Sequence, residues 1–350
     1  MITIDGSYGE GGGQIVRTAL GLSCLFRKPF RMYHIRRGRK KPGLMPQHLT
    51  CVSAARLIAG AVVEGDNPGS TELFFSPGEP QGGTYAFDIG TAGSASLVLQ
   101  TLIPALLFTG RMSSVTLMGG THVPFSPPFH FLLGIFVPFL ERLRVKVHLS
   151  IETYGFYPRG GGRIRADIFP SDRIGFLDLM ERGEVSSITG CSGVGGLSPS
   201  IAARQQGAAL ARISASANEL ANKTAIDTIN VPARGPGTFV YLECRSENSL
   251  AGFSALGARG KRAEVVGEEA AGGLINYYRS GAALDQHLAD QIVLYLALSD
   301  HESAFTTEAV TTHLLTNLWA IKLFHRYTYS VEGKVGETGT IRITPPKEGP

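Results

Sequence analysis

A glycine-rich turn that feeds an apolar helix occurs twice, 81 positions apart, and this repeat constrains the fold of the 350-residue chain more than any other feature. The first copy is Gly9-Glu10-Gly11-Gly12-Gly13. It is entered from an alternating, strand-like segment, Met1–Asp5, and leads into an apolar helical run, Gln14–Cys24. The second copy is Gly90-Thr91-Ala92-Gly93-Ser94, entered from Thr84–Ile89 and leading into Ala95–Phe108. The sequels match as well. Lys28–Ile35 reads as a strand, followed by a basic loop and a helix, Pro46–Ala61; Ser114–Met118 reads as a strand, followed by the loop Gly119–Pro128 and a helix, Phe129–Arg142. A fainter third copy spans Gly281–Leu298, with Asp290 heading a helix Gln291–Leu298. A repeat of this length is too long for a solenoid unit and predicts a small α/β unit used several times, its strands packed under pairs of helices.

The stretch Glu184–Ile275 breaks this rhythm. It is rich in Ala, Ser and Gly, alternates at Ser186–Gly190, Thr238–Cys244 and Ala263–Val266, and balances eight basic residues against eight acidic ones. The expected organisation is a small α/β domain, 184–275, inserted into a larger one made of 1–183 and 276–350. With 43% apolar and 18% charged residues the chain is globular. Its longest apolar stretches, around Leu97–Phe108 and Phe131–Leu140, are interrupted by Gln100, Pro104, Gly134 and Pro138, so no spanning helix and no membrane partner is expected. The beginning of the chain lacks a basic start followed by an apolar run, which argues against a secretory signal. Cys24, Cys51, Cys191 and Cys244 lie far apart and form no CxxC pair, which favours reduced thiols in a cytoplasmic protein.

Charge is unevenly placed. Eight basic residues and no acid lie between Arg27 and Lys41, so a chain of net +4 carries −4 outside that segment. Within it, Arg36-Arg37-Gly38-Arg39-Lys40-Lys41-Pro42-Gly43-Leu44 has the character of a phosphate-binding loop: Pro42 and Gly43 hold the charges together where a helix would spread them. Gln47 and His48 then open a helix whose free N–H groups favour anions. Gly9–Gly13 can also present backbone N–H groups to an anion, or be a plain tight turn; it matches neither the Walker A nor the GxGxxG pattern. Glu10 and Arg17 add charge beside it. Thr121–Pro128, with three prolines and Phe125, reads either as an apolar wall for a base or as a rigid loop. His313 sits among apolar and small neighbours, without a metal-binding partner in sequence, and reads either as a structural residue or as a reactive one.

Taken in order, several of these segments resemble the RNA 3′-terminal phosphate cyclase family. The match rests on Gly9–Arg17, Arg36–Leu44 with Gln47-His48-Leu49, Gly90–Ser94 with Leu97–Gln100, Gly119-Gly120-Thr121, Gly155-Phe156-Tyr157-Pro158 with Gly160–Gly162, Ala289-Asp290-Gln291, and His313-Leu314-Leu315-Thr316-Asn317. Each block is weak alone; the ordered set is specific and covers nearly the whole chain. The resemblance implies a large domain of three βαβαββ-type units, akin to enolpyruvyl transferases, with a smaller α/β insertion. It also implies ATP-dependent conversion of an RNA 3′-phosphate into a 2′,3′-cyclic phosphodiester, by way of a covalent histidine–AMP and RNA(3′)pp(5′)A.

By the same resemblance His313 is the nucleophile, with Glu10, Arg17, Arg39 and Asp290 as its catalytic neighbours. Nucleotide binding falls to Gln47, Gln100, Pro127, Phe131, His287 and Asp290. A divalent metal, Mg²⁺ or Mn²⁺, is assigned to Glu10 and Asp290. The family often has a tyrosine where this chain has His287, and imidazole offers a base less stacking area and can titrate. Three rival readings are a non-catalytic cyclase-like protein of RNA processing or ribosome assembly, a transferase of the enolpyruvyl-transferase fold, and a general RNA-binding module. His313 with its Leu-Leu-Thr-Asn sequel weighs against the first two, and a neutral insertion without a basic, aromatic sheet weighs against the third.

Overall fold

The computed structural model describes residues 1–346 and folds as a mixed α/β protein with four four-stranded sheets among the described residues. Three sheets share one wiring. In the first, Ile2–Asp5 runs parallel to Phe30–Tyr33, which pairs antiparallel with Leu73–Ser76 and through it with Val62–Glu64. In the second, Thr84–Asp88 runs parallel to Ser113–Gly119, followed by antiparallel Gly162–Ile168 and Val147–Thr153. In the third, the short strand Asp178–Leu179 runs parallel to Ser303–Thr307, followed by antiparallel Gly339–Thr344 and Thr328–Glu332.

Each of these sheets is covered by two helices. They are Gly13–Phe26 and Pro46–Ala59 in the first unit, Ala95–Leu106 and the run from Phe129 to Arg142 in the second, and Gln286–Leu296 and Thr312–Phe324 in the third. Alternation explains the layering: in Ser113–Gly119 the residues Ser113, Val115, Leu117 and Gly119 are buried and their neighbours are not, so one face meets the helices. Ile15, Leu20, Leu99, Leu102, Leu288 and Leu318 answer from the helices in one continuous core. Each such large aliphatic side chain contributes about 1.5–3 kcal/mol by leaving water.

The helix Phe129–Arg142 expected from sequence is present but opens into a π turn over Leu132–Phe136. Pro138, just beyond it, has no N–H to give back to the helix, and a widened turn accommodates the missing bond. The fourth sheet orders Thr224–Asn230, Val185–Gly195, Gly237–Ser246 and Leu250–Leu256, and is backed by the helices Pro199–Ser216 and Ala263–Ser280. It has its own apolar cluster, including Ile188, Ile213, Leu242, Val266 and Tyr277. From the same sheet Phe239, Tyr241 and Leu250 instead join the large core.

Two local expectations are corrected. Ala263–Val266 is the first turn of a helix, not a strand, because its alternation continues into the helical stripe Val266, Ala270, Leu274 and Tyr277. The third unit does not begin at Gly281, and Asp290 does not head its helix. That unit's first strand is Asp178–Leu179, and its helix begins at Gln286 under the cap of Asp285, whose carboxylate accepts the N–H groups of His287 at 2.9 Å and Leu288 at 2.8 Å.

Candidate functional site

Gly9 has φ +57 and Gly11 has φ +60, a left-handed backbone that glycine adopts without cost. A side chain at Gly9 would also collide with the Thr316 hydroxyl. The turn can therefore lie against the helix Thr312–Phe324, where the Glu10 N–H donates to Thr316 Oγ1 at 3.1 Å. This contact lies one helical turn from His313, so the first glycine turn and the candidate nucleophile are fixed to each other.

His313 opens that helix beneath the cap of Thr311, whose hydroxyl accepts the Leu314 N–H at 3.0 Å. It is exposed. Gln14, in the first turn of the helix that leaves the glycine run, grips it twice. Gln14 Oε1 lies 2.8 Å from His313 Nδ1, and Gln14 Nε2 donates to the His313 carbonyl at 3.2 Å. The second bond fixes which way the amide points, so its oxygen must accept a proton from Nδ1. The neutral ring then carries its lone pair on Nε2. Desolvation lowers the pKa of His313, and the charges of Arg17, His287 and Arg39 lower it further, so the neutral form persists below the ordinary histidine range.

Arg17 is the electrostatic centre. Burial strips water from its guanidinium, and its field reaches His48, Cys51, Asp290 and His313. His48 is buried and pushed down to about 3 by desolvation and by Arg17 and Arg36, and its Nδ1 accepts the Met45 N–H at 3.1 Å. Arg36 ties the basic loop together by donating to the carbonyls of Lys41 at 2.7 Å and Gly43 at 2.9 Å. Arg39 forms an ion pair with Glu10 and donates to the Glu10 carbonyl at 3.3 Å. Glycine turn and basic loop thus meet around a cavity of about 650 Å³ lined by Ser7, Gly9, Glu10, Gly11 and Arg37–Arg39.

Asp290 lies in mid-helix, its pKa raised to about 8 by burial and then by the charge of Asp285, against the pull of Arg17. Glu308, whose Oε1 accepts the Gln286 N–H at 3.1 Å, is raised to about 7 by burial and by the same Asp285. Asp290 is not the partner of the His313 ring; Gln14 holds that place. Its backbone carbonyl instead accepts from Asn317 Nδ2 at 2.7 Å, and Asn317 Oδ1 accepts from the Thr18 hydroxyl at 2.8 Å. This relay locks the three helices that surround the site.

The remaining sequence candidates lie in three settings. Gln47 and Gln100 cross between units: Gln47 Oε1 accepts the Ser94 N–H at 2.8 Å, and Gln100 Nε2 donates to Gln291 Oε1 at 2.5 Å. His287 is exposed and Pro127 half-buried. Phe131 is only 3% exposed and packs in the core against Gly252. Among the described residues no group of three or more His, Cys, Asp and Glu side chains converges on a point where a cation could sit. Glu10 is taken up by Arg39 and Asp290 holds a proton readily, so these side chains do not build a cation site on their own.

Sequence reasoning missed Gln14 as a functional residue, and its position directly after the glycine run was the available signal. His122 and His130 form a buried pair, with His122 Nε2 to His130 Nδ1 at 3.0 Å, that sequence reasoning also does not reach. No local pattern marks that pair.

Fold and site define an α/β protein of three like-wired units, in which a glycine turn and a basic loop from the first unit converge on a histidine from the third. The RNA 3′-terminal phosphate cyclase family model matches residues 8–331. Curated proteins named RNA 3′-terminal phosphate cyclase match over almost their whole length. The one from Methanopyrus kandleri is 41% identical over 99% of each chain, and that from Ralstonia nicotianae is 44% identical over 92% of this chain and 91% of its own. The one from Thermococcus kodakarensis is 40% identical over 98% of each. The chain belongs to the RNA 3′-terminal phosphate cyclase family. No helix among the described residues is long and apolar enough to cross a membrane.

Proposed function

We propose that this protein uses ATP to convert an RNA 3′-terminal phosphate into a 2′,3′-cyclic phosphodiester, with His313 as the nucleophile. The observation that carries this reading is the pairing of His313 with Gln14, which leaves Nε2 unprotonated and open beside Arg17 and Arg39.

A phosphate monoester resists attack by the neighbouring 2′-hydroxyl, because it is anionic and offers no good leaving group. Adenylylation removes the difficulty. His313 Nε2 attacks the α-phosphorus of ATP, the N–P bond forms and pyrophosphate leaves. The imidazolium that results keeps its proton on Nδ1, which donates to Gln14 Oε1. An oxygen of the RNA 3′-phosphate then attacks the same phosphorus, freeing His313 and giving RNA(3′)pp(5′)A. The 2′-hydroxyl attacks the 3′-phosphorus and gives up its proton to solvent, the bond from that phosphorus to the bridging oxygen breaks, and AMP departs. This last step is intramolecular, so orientation supplies much of its rate. Arg17 and Arg39 hold phosphate oxygens, and Gln47, Gln100, Pro127, His287 and Asp290 make up the nucleotide side; Phe131, buried in the core, is not among them. A divalent cation would offset triphosphate charge, held chiefly by the phosphates themselves. Residues 184–275 are proposed as an inserted domain on the larger one, supported by their separate apolar cluster. The free cysteines, three of them buried, favour a reducing compartment such as the cytoplasm.

The test uses ATP labelled at the α-phosphate. Wild-type protein acquires label, and an RNA bearing a 3′-phosphate discharges it and gains a cyclic end. His313→Ala acquires none. Label retained by that variant overturns the nucleophile, and label that no 3′-phosphorylated RNA discharges overturns the acceptor.

A further inference from the structure

The helix Thr312–Phe324 carries more than the nucleophile. Thr316, its contact with the glycine turn, is one turn further on, and Trp319 is one turn beyond that, about 9 Å along the axis from His313. Trp319 is the single tryptophan of the chain and stacks on Tyr8, with ring centroids 4.0 Å apart and planes at 18°. Tyr8 immediately precedes Gly9 and is 46% exposed, so with one face on Trp319 its other face is open to solvent. It lies between Ser7 and Gly9, two of the residues that line the cavity beside Arg37–Arg39. One further turn along, the exposed Lys322 places its ammonium 5.7 Å from the centre of the Tyr329 ring. The Tyr8–Trp319 stack and the Lys322–Tyr329 pair thus lie one helical turn apart and bring aromatic faces and a cation together, the combination by which proteins hold single-stranded nucleic acid without reading its sequence.

We propose that the Tyr8–Trp319 stack is a base platform: the open face of Tyr8 receives a base of the single-stranded RNA upstream of the terminal phosphate, with Lys322 meeting the backbone behind it. The inference rests on the functional reading above and extends it from the RNA end to the nucleotides that precede it. The platform accounts for the open face of Tyr8 and sets a polarity: terminal phosphate towards Arg39 and His313, preceding nucleotides along Trp319 and Lys322. Recognition of this kind is tolerant of base identity and indifferent to duplex RNA, whose bases are already stacked.

Two 3′-phosphorylated oligoribonucleotides of equal length separate the platform from a structural role. One carries all its bases; the other keeps the terminal nucleotide but has abasic riboses upstream. With Tyr8→Ala and, separately, Trp319→Leu, cyclisation of the fully based RNA should lose about 5- to 100-fold in kcat/KM, mainly through KM, the range expected for one stacked base. Cyclisation of the abasic RNA and labelling by ATP should stay as in wild type, and Tyr8→Phe should restore the fully based RNA. Equal losses on both RNAs, or no loss on either, overturn the platform while the cyclase reading stands. Wild-type protein that is labelled by ATP yet cyclises neither RNA overturns the cyclase reading, and the platform falls with it.

Discussion

His313 and the His122–His130 pair both have their pKa values lowered by desolvation, but they use their ring nitrogens in opposite ways. His313 engages one nitrogen, with Gln14, and leaves the other open at an exposed edge. In the pair every nitrogen has a neighbour. The Gly155 N–H donates to Thr121 Oγ1 at 3.0 Å, Thr121 Oγ1 lies 3.0 Å from His122 Nδ1, His122 Nε2 lies 3.0 Å from His130 Nδ1, and His130 Nε2 faces the Tyr154 hydroxyl at 3.5 Å. With the Thr121 proton directed at Nδ1, His122 donates from Nε2 and His130 accepts on Nδ1. Phe239 and Tyr241 of the fourth sheet close over these rings, with centroids 4.3 Å from His122 and 5.6 Å from His130 respectively. One histidine is kept reactive by an unfilled valence; the other two are spent in joining the second unit to the fourth sheet.

Removing a member of the pair tests that contrast most severely. His122→Ala opens a cavity and strands both Thr121 and His130, at a cost of about 3 kcal/mol. Thermal or urea unfolding should register the loss, while labelling by ATP at low temperature survives. Abolished labelling in protein that remains folded would tie the pair to the chemistry.

Acid separates the two kinds of histidine next. His130 has a folded pKa of about 4 against an ordinary 6.5, and His122 lies well below its ordinary value, with desolvation as the first cause in both. Between those values the unfolded chain binds protons that the folded protein refuses. Their contribution is therefore intact above about pH 6.5 and is lost on acidification, at up to about 1.4 kcal/mol per pH unit for each histidine. His48, held near 3, adds to the same slope. Unfolding followed from about pH 7 to pH 5 should show this decline, and His130→Phe should flatten it; an unchanged slope would mean that the pair does not titrate as buried neutral rings.

Gln14 gives a smaller effect at the other histidine. Gln14→Leu frees the ring and removes the acceptor for the Nδ1 proton, so labelling should slow on the order of 10- to 100-fold, as when an orienting partner is taken from a ligating histidine. Gln14→Glu keeps the acceptor and should recover part of the rate, while raising the pKa of His313 through its negative charge. Equal rates for wild type and Gln14→Leu would show that the tautomer is set elsewhere.

What the sequence made legible follows from how local each determinant is. The glycine turns, the helices behind them and the concentration of charge in Arg27–Lys41 are each written within about twenty residues, and the structure has them. The start of the third unit was hidden because its first strand has two residues, Asp178–Leu179, and the whole fourth sheet stands between it and its helix. Asp285 and Asp290 lie five positions apart as rival helix starts, and only the backbone bonds to His287 and Leu288 choose between them. The grip of Gln14 on His313 joins residues 299 positions apart, and the pairing of His122 with His130 depends on a turn whose path is set by the fourth sheet packed on it. Such contacts are tertiary, and no period or spacing encodes them.

The finest test lies in the field around His313. Desolvation is the largest cause of its lowered pKa, and Arg17, His287 and Arg39 follow in that order. A lowered pKa keeps the ring neutral as the pH falls, so labelling should hold its rate below pH 6.5 and decline only at more acid values. Arg39 is exposed, and water screens it, so Arg39→Ala should shift that decline upward by no more than about a few tenths of a pH unit. Labelling rates between about pH 5 and 8 at low ionic strength resolve a shift of this size, and added salt should erase the difference between variant and wild type. A decline that stays fixed at low salt would mean that Arg39 acts on phosphate alone, leaving Arg17 and the surrounding protein to keep His313 unprotonated.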